Sequence, residues 1–539
     1  ILTRLGASTP PAARSTLLET GALTDVQTTA PRFVGCHASL EQLERALSQV
    51  EQGQTVAVHV RGPSGAGKSA LLEHFLSAVE ARGRSPGDSD VLILRSRCYE
   101  REAMPFKALD SVMDALVSDL SRRDDLAVSH LLPADIQALA QLFPALERVP
   151  AVKKLLGIQR MQVQARSYRQ RAEAALRDLF GRLAQARPLI MWVDDLHWGD
   201  LDSVAILRAW LEPTDGAPFL LLFSYRSDEM QTSPALRELL ALSDPNVTRV
   251  SEPVVEVGPL PDSEVRALCG DRLAAHAPGR EALLARIVEE CHGNPFLASQ
   301  LAALAVAKIE RGESALETLS IEELVTQTRE LLPQQADAVL AVLAVAGRPM
   351  PPKLALRVAG VRHGGRAVLH GLRNLNLVRT RDSDNERLIE VYHDRIREHV
   401  QRALSAEQLR AIQGELLRAL EHSGRADVDW LHSLALGAAE RALALQYGIA
   451  AAERASSSMA FERAAELYSA CLELCEPDAP ECAELWRKLG VVLGQSGRGG
   501  RAADALLKAA QLCGSSDEAM ELKRMAAGHL VACGKFEEG

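Results

Sequence analysis

Aromatic side chains are only 4% of the 539 residues, and no apolar run approaches the roughly 20 residues that cross a bilayer as a helix. The first scarcity favours a helix-rich interior built from Leu and Ala, and the second gives no reason to expect a membrane span. Positive charge is short as well. Against 71 Asp and Glu stand 61 Lys and Arg, a formal charge of −10, which argues against a chain built chiefly to coat nucleic acid. The nine cysteines are odd in number and fall without CxxC pairs or Cys/His ligand spacing. Cys471, Cys475 and Cys482 cluster with no histidine nearby to complete a zinc set, so buried thiols in a reduced, cytoplasmic protein are expected. No signal-peptide pattern opens the chain. HExxH and GxSxG are missing, as are the lysine strand, HRD loop and DFG motif of protein kinases. Metallohydrolase, serine-hydrolase and kinase chemistry thus find no support within these residues.

The length and ordinary balance of 24% charged and 47% hydrophobic residues predict about three or four folded domains. Residues 1–31, rich in Thr, Ala and Pro, read as a linker. From Phe33 to about residue 300, short apolar runs alternate with helical segments: Thr55–Val60, Val91–Leu94, Leu189–Val193, Phe219–Phe223 and Val254–Val257. Such runs predict an α/β domain at 32–260 whose parallel sheet is covered by helices on both faces. The stretch 107–187 reads as an inserted helical layer. A helical lid follows at 261–320. At 321–405, helices lead to a hairpin of Leu377–Thr380 and Leu388–Val391 around Asp382-Ser383-Asp384-Asn385, a winged-helix pattern. From 406 to 539 amphipathic helices carry small residues such as Ala460, Ala464 and Ala465. They read as tetratricopeptide-like repeats, with a plain helical bundle as the alternative. The chain opens at Ile1 and stops inside a helical pattern, so it reads as a piece of something longer.

The chemistry concentrates at Gly62, Pro63, Ser64, Gly65, Ala66, Gly67, Lys68 and Ser69. This is GxxxxGK[ST] after a strand and before a helix that runs on from Ala70, the setting of a phosphate-binding loop. Its glycines let backbone N–H groups turn inward around phosphate oxygens, and the helix offers its positive end to the same anion. Lys68 is expected to reach the β- and γ-phosphates of ATP, and the Ser69 hydroxyl to bind Mg²⁺. Leu189–Val193 ends in Asp194-Asp195. Asp194 is placed to hold Mg²⁺ through water, and Asp195 to orient or deprotonate the attacking water. Arg226, at the end of a neighbouring strand, is a candidate γ-phosphate sensor; a surface ion pair is the alternative.

Phe33-Val34-Gly35, the GxxxxGKS loop, Val193-Asp194-Asp195-Leu196-His197-Trp198-Gly199-Asp200 and Gly293-Asn294-Pro295-Phe296 occur in that order. Together they resemble the STAND class of signal-transduction ATPases, close to AAA-type proteins. Arg97–Glu102, Pro105–Asp110 and Val391–Glu398 further resemble a bacterial subgroup in which this module follows a serine/threonine protein kinase domain. The resemblance implies that Val34 and Gly35 line the adenine pocket and that Pro295 packs on the base. It also implies that Tyr392-His393-Asp394 stands where relatives carry Met-His-Asp, with His393 on the β-phosphate of ADP. A simple helix-start histidine is the alternative. Cys36-His37 depart from the family's usual Arg-Glu, which removes a cation from that place.

The resemblance implies a slow ATPase that switches conformation between ADP and ATP, binds protein partners through its repeats, and self-associates in a nucleotide-dependent way. Two other readings stay open. One is an ATP-dependent transcription regulator of the LuxR type with its DNA-binding domain outside these residues. The other is a repeat scaffold with a structural nucleotide site. Direct nucleic-acid binding by the winged-helix segment is not expected, because Asp382, Asp384, Glu386 and Glu390 crowd the hairpin.

Overall fold

The computed structural model describes residues 33–83, 91–99, 106–156, 165–211, 218–241, 251–274, 279–310, 326, 328–330, 332–383, 386–422, 427–476 and 480–539. The expected linker 1–31, the Glu100–Pro105 part of the kinase-associated resemblance and the hairpin tip Asp384-Asn385 lie outside them.

Five parallel strands form the central sheet: β1 (Val56–Gly62), β2 (Leu92–Arg97), β3 (Leu189–Asp194), β4 (Leu220–Arg226) and β5 (Val254–Glu256), in the order β2-β3-β4-β1-β5. Every residue of β3 and β4 is buried, as continuous apolar runs require when both faces of a sheet are covered. Side chains alternate between two cores. Ile190 and Trp192 join Val58, Val60 and Leu72 under the helices His37–Glu51 and Lys68–Gly83. Leu189, Met191 and Val193 face the opposite layer with Leu109, Leu179 and Leu207. That layer is helical, at Lys107–Ser121, Asp125–Leu131, Ile136–Leu142, Pro150–Leu156 and Ala165–Ala186. The register sets Gly62 beside Arg226 and Arg97 beside Asp194 at the carboxyl ends of the strands.

Asp262–Ala274, Arg280–Cys291 and Pro295–Glu310 form the lid around Leu273, Ile287 and Leu301. Three helices, Gln334–Ala346, Pro352–Val358 and Gly365–Asn374, precede the hairpin β6 (Val378–Ser383) and β7 (Glu386–Val391). Both strands run further than the sequence pattern indicates. Arg381 pairs with Leu388 and Ser383 with Glu386, so Asp382 and Ser383 belong to the ladder and not to the turn. From Ala406 to Ala532 seven helices follow in succession among the described residues, each packed on the next. Small residues allow the close crossings: a Cβ added to Gly490 would lie 2.6 Å from Leu506 Cγ. None of the nine cysteines, all among the described residues, is in a disulfide. Among the described residues no helix is long and apolar enough to cross a membrane.

The repeats fold back onto the α/β domain. The helix Phe461–Leu474 packs on Leu201–Leu211, and a polar junction fixes it. Arg169 donates to Asp202 (2.8 Å) and to the Met459 carbonyl (3.0 Å), and the Arg463 backbone N–H donates to the other Asp202 oxygen (3.1 Å). Burial pushes the Asp202 carboxyl up to about 6, chiefly by desolvation.

Candidate functional site

The carboxyl ends of β1, β3 and β4 meet at a cavity of about 480 Å³, within the range of small-ligand sites. The P-loop forms one wall. Gly65 (φ +81°) and Gly67 (φ +95°) take backbone conformations that side chains disfavour, and Ser64 to Ala70 line the cavity. The Lys68 ammonium donates to the carbonyls of Gly62 and Pro63, 2.9 Å each, so it spans the loop. Burial lowers its pKa against the opposing pull of Asp195 and Asp194. Gly62 and Pro63 meet Lys68 through their carbonyls and do not line the cavity; Gly35 does not line it either.

Asp194 lies beneath this wall. It accepts from Ser69 Oγ (3.0 and 2.9 Å) and from Ser224 Oγ (2.5 Å), and Ser224 accepts from the Trp192 indole at 3.1 Å. A hydroxyl and a carboxylate brought together supply the hard oxygen ligands that Mg²⁺ takes, so Ser69 and Asp194 fit that cation. Burial, then the neighbouring Asp195 charge, push Asp194 up to about 6, and a divalent cation would oppose that. Asp195, in the left-handed region at φ +54°, turns into the cavity.

One residue at the centre escapes motif reading. Arg97, at the end of β2, lines the cavity and bridges Asp195 at 2.8 Å, with Asp194 at 3.9 Å. Burial opposes its charge, but Asp195 and Asp194 outweigh it and raise the Arg97 pKa well above normal. The rule that singles out Arg226, a cation at the end of a strand beside β3, applies equally to Arg97.

Arg226 is 7% exposed. It lines the cavity and pairs with Asp394 at 2.9 Å and Glu398 at 3.5 Å. Burial alone would raise the Asp394 carboxyl, yet Arg397, Arg97 and Arg226 hold it well below the usual range. His393 is both the N-cap of the helix Asp394–Arg402 and a cavity residue. Its Nδ1 accepts from the Arg395 N–H (3.2 Å), and its ring stacks on Phe296 at 4.0 Å. His393 is thus the helix-start residue of the alternative reading, and it also lines the cavity. Pro295 lines the cavity, and the lid touches the P-loop through Asn294 Nδ2, which donates to the Ser64 carbonyl at 3.2 Å. Val34 and Cys36 line the far end. His197 lies outside the cavity lining; it is buried, with its ring 5.0 Å from Trp198.

The family model for the AAA ATPase domain matches residues 32–222, the stretch that carries the P-loop, Asp194 and Asp195. A search of curated proteins returns no match. Among solved structures, the chain is similar to a STAND protein with a tetratricopeptide repeat sensor from Pyrococcus horikoshii. The identity is 14% and the TM-score 0.49, over 93% of this chain and 71% of that one. It is also similar to the Aeropyrum pernix ORC1 protein solved in complex with DNA (17% identity, TM-score 0.34, 69% and 94% covered). A third is a Walker-type ATPase of Pyrococcus abyssi (15%, TM-score 0.33, 68% and 96%). Each is a distant likeness.

Proposed function

We propose that this AAA ATPase module works as a nucleotide-dependent conformational switch of the STAND kind, closed with ADP and opened by ATP. The observation that carries the reading is the Arg226–Asp394 bridge, because it joins the cavity to the winged-helix segment. A γ-phosphate entering beside Lys68 offers Arg226 a competing anion, so charge at that place weakens the hold on Asp394. Moving the equilibrium nearly completely requires ATP to favour the open form by about 5.5 kcal/mol over ADP. A partner bound to the helical repeats supplies part of that difference through the Asp202–Arg463 junction.

In the hydrolysis step, Lys68 and Arg226 hold phosphate oxygens, and Asp195 orients the attacking water once Arg97 releases it. Ser69 and Asp194 would hold Mg²⁺, which neutralises developing phosphate charge. An acid held by an arginine makes a poor proton acceptor, so turnover is slow. The likeness of Val391–Glu398 to kinase-associated modules supports a serine/threonine kinase as the output. The test is equilibrium binding of ADP and ATP to the purified chain with hydrodynamic radius as a second readout. Binding abolished by Lys68→Ala, with a larger radius in a non-hydrolysable ATP analogue than in ADP, supports the switch. Equal radii in both nucleotides would sink it.

A further inference from the structure

Three guanidinium groups line the cavity, and they are not equally committed. Arg97 gives its Nη2 to Asp195 at 2.8 Å, and Arg226 gives its Nη2 to Asp394 at 2.9 Å. Arg379, on β6, is held from behind. Its Nε donates to the Glu390 carboxylate at 2.7 Å, across the hairpin ladder. Glu390 is buried and stands outside the cavity lining. No hydrogen bond from the two Nη nitrogens of Arg379 falls among the described residues. A carboxylate on Nε fixes the plane of the guanidinium and leaves its Nη edge, whose paired N–H groups match a phosphate.

The hairpin sets which end of the cavity this edge meets. Arg379 pairs in register with Glu390, and β7 runs on into Tyr392, His393 and Asp394, all in the lining. Arg97 and Asp394 are among the charges that act on Glu390. Arg379 therefore belongs with Lys68, Asp195 and Arg226, away from the apolar wall of Val34, Leu260 and Leu268. Because it comes from the winged-helix segment, it is in place only when that segment is docked.

We infer that Arg379 is a catalytic residue that binds the γ-phosphoryl group in the transition state of ATP hydrolysis, so that hydrolysis belongs to the docked form. The inference rests on the reading of the protein as a nucleotide switch. In the step, the water oxygen bonds to the γ-phosphorus, and the bond from phosphorus to the β–γ bridging oxygen breaks. The electron pair of that bond passes to ADP, and the water's protons stay with the released phosphate. Negative charge grows on the bridging oxygen as the bond opens, and a guanidinium already fixed there stabilises it without reorganising. ATP favours the open form, from which Arg379 is withdrawn. Chemistry waits for redocking, and the ADP it leaves keeps the segment docked.

ATP turnover by the purified chain tests this in the wild type, Arg379→Lys and Arg379→Gln. The second readout is equilibrium binding of ATP, of ADP, and of ADP with aluminium fluoride, a mimic of the transferring phosphoryl group. Arg379→Gln is expected to lower turnover about a hundredfold or more, with ATP and ADP affinities within about threefold of wild type. It is also expected to abolish the gain in ADP affinity that aluminium fluoride brings. Arg379→Lys keeps the charge and loses the fork, so it is expected to fall between. Thermal melting without nucleotide checks the fold, since Arg379→Gln strands Glu390. Should it melt early, Arg379→Gln combined with Glu390→Gln removes the stranded charge and is expected to show the same losses. Turnover and mimic binding that match the wild type overturn the inference, as does an equal loss of affinity for ATP, ADP and the mimic, or a wild type that hydrolyses no ATP. The switch is judged apart, by hydrodynamic radius. Unchanged turnover in Arg379→Gln, with radii that still differ between ADP and the ATP analogue, overturns the role of Arg379 and leaves the switch standing. Equal wild-type radii with turnover lost in Arg379→Gln overturn the switch and keep Arg379 as the cation of the transition state.

Discussion

Two arginines flank the acidic end of β3, and they are committed to different parts of the molecule. Arg97, from β2, spends its charge inside the ATPase sheet, on Asp195 and Asp194. Arg226, from β4, reaches out to Asp394 and Glu398 of the helix that follows the hairpin. Neighbouring strands thus present the same side chain to one cavity with separate consequences. Under the proposed switch, the first arginine sets how free Asp195 is to orient water, and the second sets whether the winged-helix segment stays docked. The division predicts that removing one should change turnover and removing the other should change docking.

The largest effect is expected at the docking bridge. Asp394→Asn leaves the buried Arg226 charge without its closest partner, a loss of about 3 kcal/mol for a broken buried pair. Because ADP is taken to bind the docked form, its affinity should fall about a hundredfold, the same free energy expressed in binding. Adding Arg226→Gln removes the stranded charge and should recover most of the stability in a denaturant titration. Two losses that simply add would show that the residues act separately.

His393, beside that bridge, gives the next effect through pH. Burial, more than any neighbour, lowers its pKa to about 3, whereas an unfolded histidine takes its proton near 6.5. Its contribution is therefore intact above pH 6.5 and lost as pH falls from there towards 3, about 2 kcal/mol by pH 5. Asp194 and Asp202, both raised to about 6, act in the opposite sense, favouring the folded chain as pH falls through 6. The informative quantity is accordingly the difference between wild type and His393→Asn, which keeps an N-cap acceptor. That difference should shrink between pH 7 and pH 5 in chemical unfolding. A difference independent of pH would mean that His393 takes its proton at the same pH in the folded chain as in the unfolded one.

A smaller effect is expected at Arg97. Arg97→Met releases Asp195 and should raise ATP turnover about tenfold, a 1.4 kcal/mol change in barrier, with little change in the affinity for ATP. It should also melt earlier without Mg²⁺, since two buried acids lose their cation, and regain stability when Mg²⁺ and nucleotide are added. A fall in turnover at unchanged affinity would instead make Arg97 a cation that serves the phosphates.

These partners were unequally legible in the sequence. The P-loop could be read because its function is carried by one short stretch in which spacing is geometry: Gly65, Gly67, Lys68 and Ser69 are placed by a single loop and helix. Asp194 could be read because an apolar run ending in acid defines a strand end. The sheet and the helical character of the later segments followed from apolar periodicity. Arg97 meets the same strand-end rule that picks out Arg226, but its partner could not be assigned, since Asp195 lies 98 positions onward and no local pattern encodes that contact. The hairpin was placed correctly but drawn short, because Asp382 and Ser383 look like turn residues until their cross-strand partners are known. His393 could be read in two ways because helix capping and cavity lining ask for the same polar side chain at the same place.

The smallest predicted effect tests whether the two arginines are as separate as their closest partners imply. The guanidinium of Arg97 lies 5.5 Å from the centre of the Tyr99 ring, and that of Arg381, from β6, lies 5.8 Å from it. Arg381 also donates to the Tyr99 hydroxyl. The hairpin therefore leans on the side chain that packs beside Arg97. Tyr99→Phe keeps both ring contacts and removes only the hydroxyl, a loss of about 1 kcal/mol. If the hairpin helps to hold Arg97 on Asp195, Tyr99→Phe should reproduce part of the turnover gain of Arg97→Met, about twofold, and add nothing in the double variant. A gain that persists in the double variant would place the effect of Tyr99 elsewhere, and the two arginines would then act as independent devices.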